Sequence, residues 1–196
     1  YVQGGTGIND KRTLVWVDRQ GREEAIKAPP HGYTYARLSP DGMRVALDLR
    51  EEMNDIWVWD LARQTLTRLT FDPGINRSPV WTPDGRRVAF SAARDGSENI
   101  FWQAADGTGT AERLTQGATQ QLPNAFSPDG TKLLSSSHDK SVRVWNPIDG
   151  VLVSRIDAPS PLNGVAVTPD GTKIVTAGAD NLLRVWEFST AAPTKT

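Results

Sequence analysis

The sequence predicts an all-β fold built from repeated units, and a four-residue phrase that occurs four times is the main reason. The phrase is Ser/Thr-Pro-Asp-Gly, at residues 39–42, 82–85, 127–130 and 168–171. Its aspartates lie 43, 45 and 41 residues apart, and a repeat of roughly 40–45 residues with strand-like runs is typical of a β-propeller. No segment shows a sustained helical period. We therefore predict a propeller of four-stranded antiparallel blades with about five blade positions, three complete and two partial at the termini.

The phrase itself predicts a tight turn, because proline presets φ, aspartate caps its own backbone and glycine accepts positive φ. A strand is expected on each side of it, and a third strand that ends in Trp follows. The first and second strands are predicted at 35–38 and 44–49, 78–81 and 87–91, 124–126 and 132–136, and 164–167 and 173–177. The third strands are predicted at 56–59, 100–102, 142–145 and 183–186, with more polar fourth strands at 66–70, 112–115 and 151–156.

The two ends of the chain each predict a blade of three strands. These strands are 1–3, 13–17 and 24–27 at the start, and 162–167, 173–177 and 183–188 at the end. We expect one domain over residues 1–188 and a disordered tail over 189–196. Three ways of closing the ring stay open: closure within one chain, a composite blade from both ends, or a homo-oligomer that joins the incomplete blades.

The spacing inside the repeats separates them into two types. From the turn aspartate to the third-strand Trp there are 18 residues in the first two repeats and 16 in the last two. The longer repeats have longer turns, at 50–54 and 93–98. The change of type falls near residues 116–122, so the chain is predicted to combine two kinds of blade.

Residues 1–118 resemble blades of TolB-like propellers. The resemblance rests on the segments 14–21, 37–42, 54–60, 68–74 and 98–102. It implies a propeller that binds a partner through the loops at one end of its channel. Such propellers in bacteria often accompany receptor-type protein kinases.

Residues 119–188 resemble WD40-repeat blades, through the segments 139–145 and 180–186. The resemblance implies a buried His–Ser/Thr–Asp–Trp network, but Asn146 and Glu187 stand where aspartate is usual and no Gly-His pair precedes either blade. Part of the network is expected to remain, through Asp139, Asp180, Trp145 and Trp186. Two propeller families in one chain suggest a chimera, either engineered or recombined.

Six of the seven tryptophans recur at equivalent or neighbouring strand positions, and we expect them to pack between blades because aromatic side chains bury large areas. They are Trp57, Trp59, Trp81, Trp102, Trp145 and Trp186. The seventh, Trp16, is expected to lie exposed at the seam of the ring.

Composition argues against several classes of function. A formal net charge of −1 does not favour nucleic acid or a membrane surface as a partner, since both need a basic patch. No apolar run approaches the ~20 residues of a membrane span, and the polar residues 1–10 are not a signal peptide. The absence of cysteine excludes disulfides, thiol catalysis and cysteine-based zinc sites, and it leaves the cellular compartment unknown.

The residues that suggest catalysis have simpler explanations. Ser, His and Asp occur together at 135–139, but consecutive strand residues point to opposite faces and cannot form a triad. The Gly-rich segments 4–7 and 106–109 lack the following helix of a phosphate loop.

The only histidines, His31 and His138, and the local acidic group of Asp48, Glu51, Glu52 and Asp55 are expected to be surface or turn residues. We therefore predict no catalytic, cofactor-binding or metal-binding residue, and no cofactor.

The best interpretation is a non-catalytic propeller that serves as a scaffold or binds a protein or peptide at its loop face. The candidate binding residues lie in loops before the innermost strands: His31, Tyr33, Asn76, Arg77, Gln120 and Gln121. Three alternatives stay open. One is a propeller hydrolase or lyase with a site in the channel, although the predicted inner strands carry no carboxylate. The others are a fragment of a bacterial sensor or kinase-associated propeller, and a designed chimera with no evolved ligand.

Overall fold

The computed structural model describes residues 2–4, 11–51, 53–94, 96–117 and 119–188, and these form five consecutive antiparallel sheets. The sheets contain three, four, four, four and three strands. The predicted all-β propeller with three complete and two partial blades is therefore confirmed, and each of the eighteen predicted strands is present. The expected tail 189–196 lies outside the described residues.

Most strands extend beyond their predicted bounds, by one to three residues at an end. Sheet 1 contains β1 Val2–Gly4, β2 Arg12–Val17 and β3 Glu23–Ala25, and sheet 2 contains β4 Tyr33–Leu38, β5 Arg44–Arg50, β6 Asn54–Asp60 and β7 Thr65–Arg68. Sheet 3 contains β8 Asn76–Trp81, β9 Arg87–Arg94, β10 Ser97–Ala104 and β11 Glu112–Arg113. Sheet 4 contains β12 Leu122–Phe126, β13 Leu133–Ser136, β14 Ser141–Trp145 and β15 Leu152–Asp157, and sheet 5 contains β16 Leu162–Val167, β17 Lys173–Gly178 and β18 Leu183–Glu187. Among the described residues, no helix is long and apolar enough to cross a membrane.

The repeated phrase forms the turn between the first two strands of sheets 2 to 5, for the chemical reasons that its residues suggest. In the first copy, the Ser39 hydroxyl donates a hydrogen bond to Asp41 Oδ1 at 2.5 Å. The same oxygen accepts the Met43 amide at 3.0 Å, and Gly42 has a φ of 72°. The other three copies repeat the hydroxyl–carboxylate bond. Each turn therefore joins an inner strand to the second strand of its sheet.

The core consists of four interfaces between successive sheets, and each uses the same two faces. We call the face of each sheet that points toward the next sheet along the chain the forward face; it carries Ala46 in sheet 2 and Ala89 in sheet 3. The opposite face is the rear face. Ala46, Ile56 and Val58 on the forward face of sheet 2 pack against Val88 and Phe90 on the rear face of sheet 3. The other three interfaces pair forward and rear faces in the same way.

Tryptophans contribute to these interfaces, but equal spacing in sequence does not give them equal positions. Trp59, Trp81 and Trp145 are buried, whereas Trp16 is exposed. Trp59 pairs with Val45 on the rear face, while Trp102 pairs with Ala89 on the forward face. With its strands included, the β9–β10 hairpin spans 18 residues, 87–104, whereas the β5–β6 hairpin spans 17, 44–60, and this difference of one residue places Trp102 on the opposite face.

Part of the hydrogen-bond network expected in sheets 4 and 5 is present. Trp145 Nε1 donates to the Ser135 hydroxyl at 2.9 Å, and Trp186 Nε1 donates to the Thr176 hydroxyl at 3.0 Å. The expected aspartates form separate contacts. Arg184 bonds to Asp180 at 2.7 Å and lowers the pKa of that carboxyl to about 2.

Candidate functional site at the channel entrance

The inner strands β4, β8, β12 and β16 surround a cavity of 130 Å³, which we call the entrance cavity. Each strand belongs to a different sheet, so the cavity lies where the four sheets converge. Its lining residues are Tyr35, Arg37, Ser78, Pro79, Leu122, Pro123, Asn124, Asn163, Gly164 and Val165. The sequence predicts a binding face at the loops that precede these strands, and that prediction stays open.

All four inner strands have a β-bulge or register shift beside this cavity. The irregularities lie between Tyr33 and Tyr35, Arg77 and Val80, Pro123 and Ala125, and Leu162 and Gly164. In β8 the bulge includes Ser78, which has a φ of 57°. Bulges redirect side chains and are over-represented next to functional sites, and here each inner strand has an irregularity that includes at least one residue of the cavity wall.

The cavity wall combines an aromatic ring, a guanidinium and amides. Tyr35 and Arg37 are exposed strand residues, and the Arg37 carbonyl accepts a hydrogen bond from Trp81 Nε1 at 2.7 Å, which ties β4 to β8. Asn124 Oδ1 accepts the Ser136 amide at 2.8 Å, which fixes the side chain at its bulge. Within the described residues, the Arg37 guanidinium has no hydrogen bond or ion pair. The wall therefore presents the positive charge of Arg37, and no Asp or Glu is among the lining residues.

A partly buried ion pair of sheet 3 contacts the loop that leads into sheet 4, and we call this group the rim. Arg77 binds both carboxylate oxygens of Glu98, at 2.6 and 2.7 Å. Glu98 also accepts hydrogen bonds from the Ser91 hydroxyl and the Gln120 amide. Burial alone would raise the pKa of Glu98, but the hydrogen bonds from Arg77, Gln120 and Ser91 outweigh it and the pKa is lowered. Glu98 is thus held as a carboxylate that organises the rim.

A second buried carboxylate lies behind β8. Asp48 is fully buried, and it accepts the Ser78 amide at 3.3 Å and the Arg50 guanidinium at 3.4 Å. Burial raises the pKa of Asp48, and the nearby charge of Arg50 opposes this rise only in part. Asp48 therefore supports the bulge of β8 from behind and does not line the entrance cavity.

The six predicted binding residues fall into three groups. Arg77 and Gln120 meet at Glu98 on the rim. His31 and Tyr33 are in edge-to-face contact at 5.8 Å, with His31 Nδ1 2.7 Å from Glu51 Oε1.

The remaining two predicted residues, Asn76 and Gln121, are buried. Tyr33 is also buried, and its hydroxyl donates to the Pro29 carbonyl at 2.6 Å. Burial and the charge of Glu51 raise the pKa of Tyr33 to about 12. None of the six is among the residues that line the entrance cavity, and a binding role for the set stays a prediction.

Sequence reasoning missed four residues of the cavity wall: Tyr35, Arg37, Asn124 and Asn163. The sequence signal that could have identified them is the occurrence of polar side chains inside predicted inner strands. A packed inner strand would carry small or apolar residues at those positions. The bulges that turn these side chains into the cavity left no clear mark in the sequence.

The residues that suggested catalysis are engaged in local structure. Ser135 bonds to Trp145, and Asp106 accepts the Thr108 amide within its turn. Asp55 pairs with Arg68 at 2.7 Å. In the described ranges, no group of three or more His, Asp or Glu residues could hold a metal ion. Glu52 and residues 5–7 lie outside the described residues.

Comparisons with known proteins agree with this architecture. The chain is 42% identical to the Tol-Pal system protein TolB of Syntrophus aciditrophicus over 108 residues, 55% of this chain and 18% of that protein. It is 28% identical to the COMPASS component SWD3 of Saccharomyces cerevisiae, a WD40-containing protein, over 147 residues, 74% of this chain and 43% of SWD3. The chain spans less than half the length of these relatives.

A solved structure shows the same fold. The crystal structure of TolB from Acinetobacter baumannii superposes with a TM-score of 0.72 at 17% identity, over 92% of this chain and 50% of that one. The family model described as the TolB beta propeller domain matches residues 9–185 and so extends across the predicted boundary between two kinds of blade. Because this match covers most of the chain, the protein belongs to the TolB β-propeller domain family.

Proposed function

We propose that this protein is a non-catalytic propeller that binds a protein partner at the entrance cavity, through an acidic side chain of that partner. The observation that carries the proposal is the set of four bulges around one cavity. A purely structural channel has no need to distort all four inner strands beside one cavity, whereas a binding site gains redirected side chains from each distortion.

The size of the cavity favours a side chain over a free small molecule. Pockets for small molecules usually enclose about 300–1,000 Å³, and the entrance cavity encloses 130 Å³. A single protruding side chain fits this volume. The rest of the partner would then rest on the rim that Arg77, Glu98 and Gln120 form.

The chemistry of the wall favours a carboxylate as the inserted group. Arg37 offers a guanidinium that can bind a carboxylate through two hydrogen bonds, and Tyr35 offers an aromatic surface beside it. Tyrosine and arginine are also the residue types that most often dominate the binding energy of protein interfaces. The lining residues include no Asp, Glu or His, so the wall does not repel an acidic group and supplies no general base.

The relatives support a protein as partner in a general way. Their names describe a component of the Tol-Pal system and a component of COMPASS, which are assemblies of several proteins. A propeller fold presents loops and strand ends around a channel, and this arrangement suits a binding scaffold.

Site-specific photo-crosslinking tests the proposal. A benzoylphenylalanine at Tyr35 should crosslink to a protein partner in the source cells, and the additional substitution Arg37→Glu should abolish that product by placing two like charges together. The same photo-crosslinker at Phe71, an exposed aromatic residue after β7, is the matched control. Crosslinks that form at Phe71 but never at Tyr35 would place the partner elsewhere and contradict the proposal.

The chain is further proposed to combine two kinds of blade, 1–118 and 119–188, in one domain of recombined or engineered origin. The support for this second proposal comes from the hydrogen bonds of the tryptophan side chains. Trp145 and Trp186 donate to second-strand hydroxyls, whereas buried Trp59 Nε1 has no hydrogen-bond partner within the part of the chain that the structure describes. Because sheets 3 and 4 share a continuous core, we expect one cooperative calorimetric transition for the whole chain. Two separate transitions would show that the two parts are independent domains.

A further inference from the structure

A cleft of 500 Å³ lies between sheets 3 and 4, beside the Thr-Pro-Asp-Gly and Ser-Pro-Asp-Gly turns of these sheets, and we call it the turn cleft. Its walls combine two aromatic rings, two carboxylates and an isoleucine: Trp102, Phe126, Asp84, Asp129 and Ile148. Among the described residues, none that lines the turn cleft also lines the entrance cavity. Sheets 3 and 4 each have four strands, so two complete sheets form the cleft.

The preceding junction, between sheets 2 and 3, shows which chemical group such a cleft holds. There the side chain of Arg44 crosses from sheet 2 to sheet 3, and its Nη2 donates a hydrogen bond to the Gly85 carbonyl at 2.8 Å. The guanidinium lies 4.9 Å from the ring centroid of Trp81, and Nη2 lies 3.8 Å from Asp41 Oδ2. A turn carbonyl, an aromatic face and a turn carboxylate thus hold one guanidinium.

The turn cleft presents the same three groups at the same positions of the repeat. They are Asp84, Gly130 and Phe126, which correspond to Asp41, Gly85 and Trp81. The carboxylate again comes from the first sheet of the junction, and the carbonyl and the ring come from the second sheet. The turn cleft therefore repeats the chemistry of a junction that binds a guanidinium.

The arginine that corresponds to Arg44 turns back onto its own sheet. This residue is Arg87, since each of the two follows its turn aspartate by three positions. Arg87 Nη1 lies 3.2 Å from Glu112 Oε2, and its guanidinium lies 4.2 Å from the ring centroid of Trp102. Both partners belong to sheet 3, so Arg87 does not take the place in the cleft that Arg44 takes at the preceding junction.

The register of sheet 3 explains why Arg87 turns back. Ala46 pairs with Val58 in sheet 2, whereas Ala89 pairs with Trp102 in sheet 3. The longer hairpin of sheet 3 thus places an aromatic ring beside Arg87 on the forward face. A guanidinium stacks on such a ring, and the cleft in front of it stays open.

The charges around the turn cleft favour a cation. Asp84 and Asp129 are both lining residues, and the hydrogen bond from the Thr82 hydroxyl, at 2.6 Å, lowers the pKa of Asp84. Asp84 is therefore a carboxylate at neutral pH. The opposing charge of Arg87 is paired with Glu112, so it offsets the two carboxylates only in part.

We propose that the turn cleft binds a small organic molecule that carries a guanidinium group and an apolar body. The guanidinium takes the place of an arginine side chain: it donates to the Gly130 carbonyl, lies against Phe126 and faces the Asp84 carboxylate. The apolar body rests on Ile148, which is 88% exposed in the unliganded protein. This site is independent of the partner proposed for the entrance cavity.

The size of the cleft favours a free molecule over a single inserted side chain. Its volume of 500 Å³ lies within the range of about 300–1,000 Å³ that small-molecule pockets usually enclose. The entrance cavity, at 130 Å³, lies below that range. A guanidinium alone occupies only the part of the cleft beside Gly130, and the remaining space extends to Ile148.

Calorimetric titration of the full chain with N-benzoylarginine amide tests the proposal, because the benzoyl group supplies the apolar body. We expect saturable binding to one site at up to millimolar concentration. The corresponding citrulline compound is the matched control ligand, since it replaces the guanidinium with an uncharged urea of nearly the same shape. It should bind about tenfold more weakly or less, because it cannot form a charge-assisted hydrogen bond.

Substitutions in the protein locate the binding site. Asp84→Asn keeps an oxygen for the turn but removes the charge, and it should weaken binding of the arginine compound by about tenfold or more. Asp41→Asn is the matched control, because Asp41 has the same place in its turn but faces a junction that Arg44 already fills. It should change affinity less than twofold.

Circular dichroism and melting establish that both variants are folded. Absence of binding by the wild-type chain overturns the proposal, and so does equal binding of the citrulline compound. Equal loss of affinity in the two variants places the ligand elsewhere and also overturns it. An arginine-containing pentapeptide provides the last comparison: if the peptide binds and the small compound does not, the cleft takes a polypeptide segment and the proposal is wrong.

Discussion

Replacing Glu98 with alanine is expected to lower the free energy of unfolding by about 3 kcal/mol, because it leaves the partly buried guanidinium of Arg77 without its partner. Glu98 is 13% exposed through its side chain and binds Arg77 with both oxygens. The loss also removes the acceptor for Ser91 and Gln120, so the rim of the entrance cavity should loosen. Urea denaturation at pH 7 measures the stability, and hydrogen exchange of residues 119–122 measures the order of the rim.

Glu112→Ala is the control for this prediction. Glu112 also pairs with an arginine, Arg87, at 3.2 Å, but its side chain is 63% exposed. An exposed pair contributes about 0–1 kcal/mol. Equal losses for the two variants would show that burial of the Arg77–Glu98 pair has no energetic role.

The stability contributed by Glu98 should depend on pH in a defined direction. Its pKa is lowered in the folded protein from an ordinary value of 4.5, so the carboxylate stabilises the fold at pH values above 4.5. That contribution is lost as the pH falls through the folded-state pKa, because a protonated Glu98 no longer gains from the hydrogen bonds that favour its charged form in the folded protein. The stability difference between wild type and Glu98→Gln should therefore be constant near neutrality and shrink below pH 4.5. A difference that grows in acid would contradict this assignment.

Replacing Phe90 with alanine is expected to cost about 3–5 kcal/mol of stability, the usual loss for a large aromatic residue in a packed core. Phe90 is fully buried on the rear face of sheet 3, in the cluster that joins this sheet to sheet 2. It also stacks on Phe101 with ring centroids 6.4 Å apart. The variant leaves a cavity at the interface that supports β4 and β8, and chemical denaturation measures the effect.

Phe71→Ala is the matched control, because Phe71 is 67% exposed. Substitutions at exposed positions usually change stability by about 0.5 kcal/mol or less. A large loss at Phe71, or a small one at Phe90, would mean that the interface between sheets 2 and 3 is not the packed core described above.

Much of the fold was predictable, because its determinants are local. The turn of residues 39–42 follows from the chemistry of Ser-Pro-Asp-Gly, and its hydroxyl, carboxylate and glycine act as predicted. Strands such as β5 and β14 follow from short apolar runs between such turns. The repeat then sets the order of the sheets, since each short connection pairs neighbouring strands.

The site was predictable only in part. The loops that precede the inner strands follow from the order of the predicted strands, and a binding role for the residues predicted in those loops stays a prediction. Tyr35 and Arg37 were missed, because an inner strand predicts alternation and a bulge breaks it. The position of Trp102 was missed for a similar reason, since one extra hairpin residue changes the face of every residue beyond it.

The sequence by itself therefore determined the strands, the turns and the succession of sheets, because these depend on residues a few positions apart. The tertiary structure alone decided which distant residues meet. Tyr35 and Asn163 line one cavity although 128 residues separate them, and Leu183 is exposed where Val142 is buried. Both outcomes depend on what lies against each sheet in space, which a strand pattern does not specify.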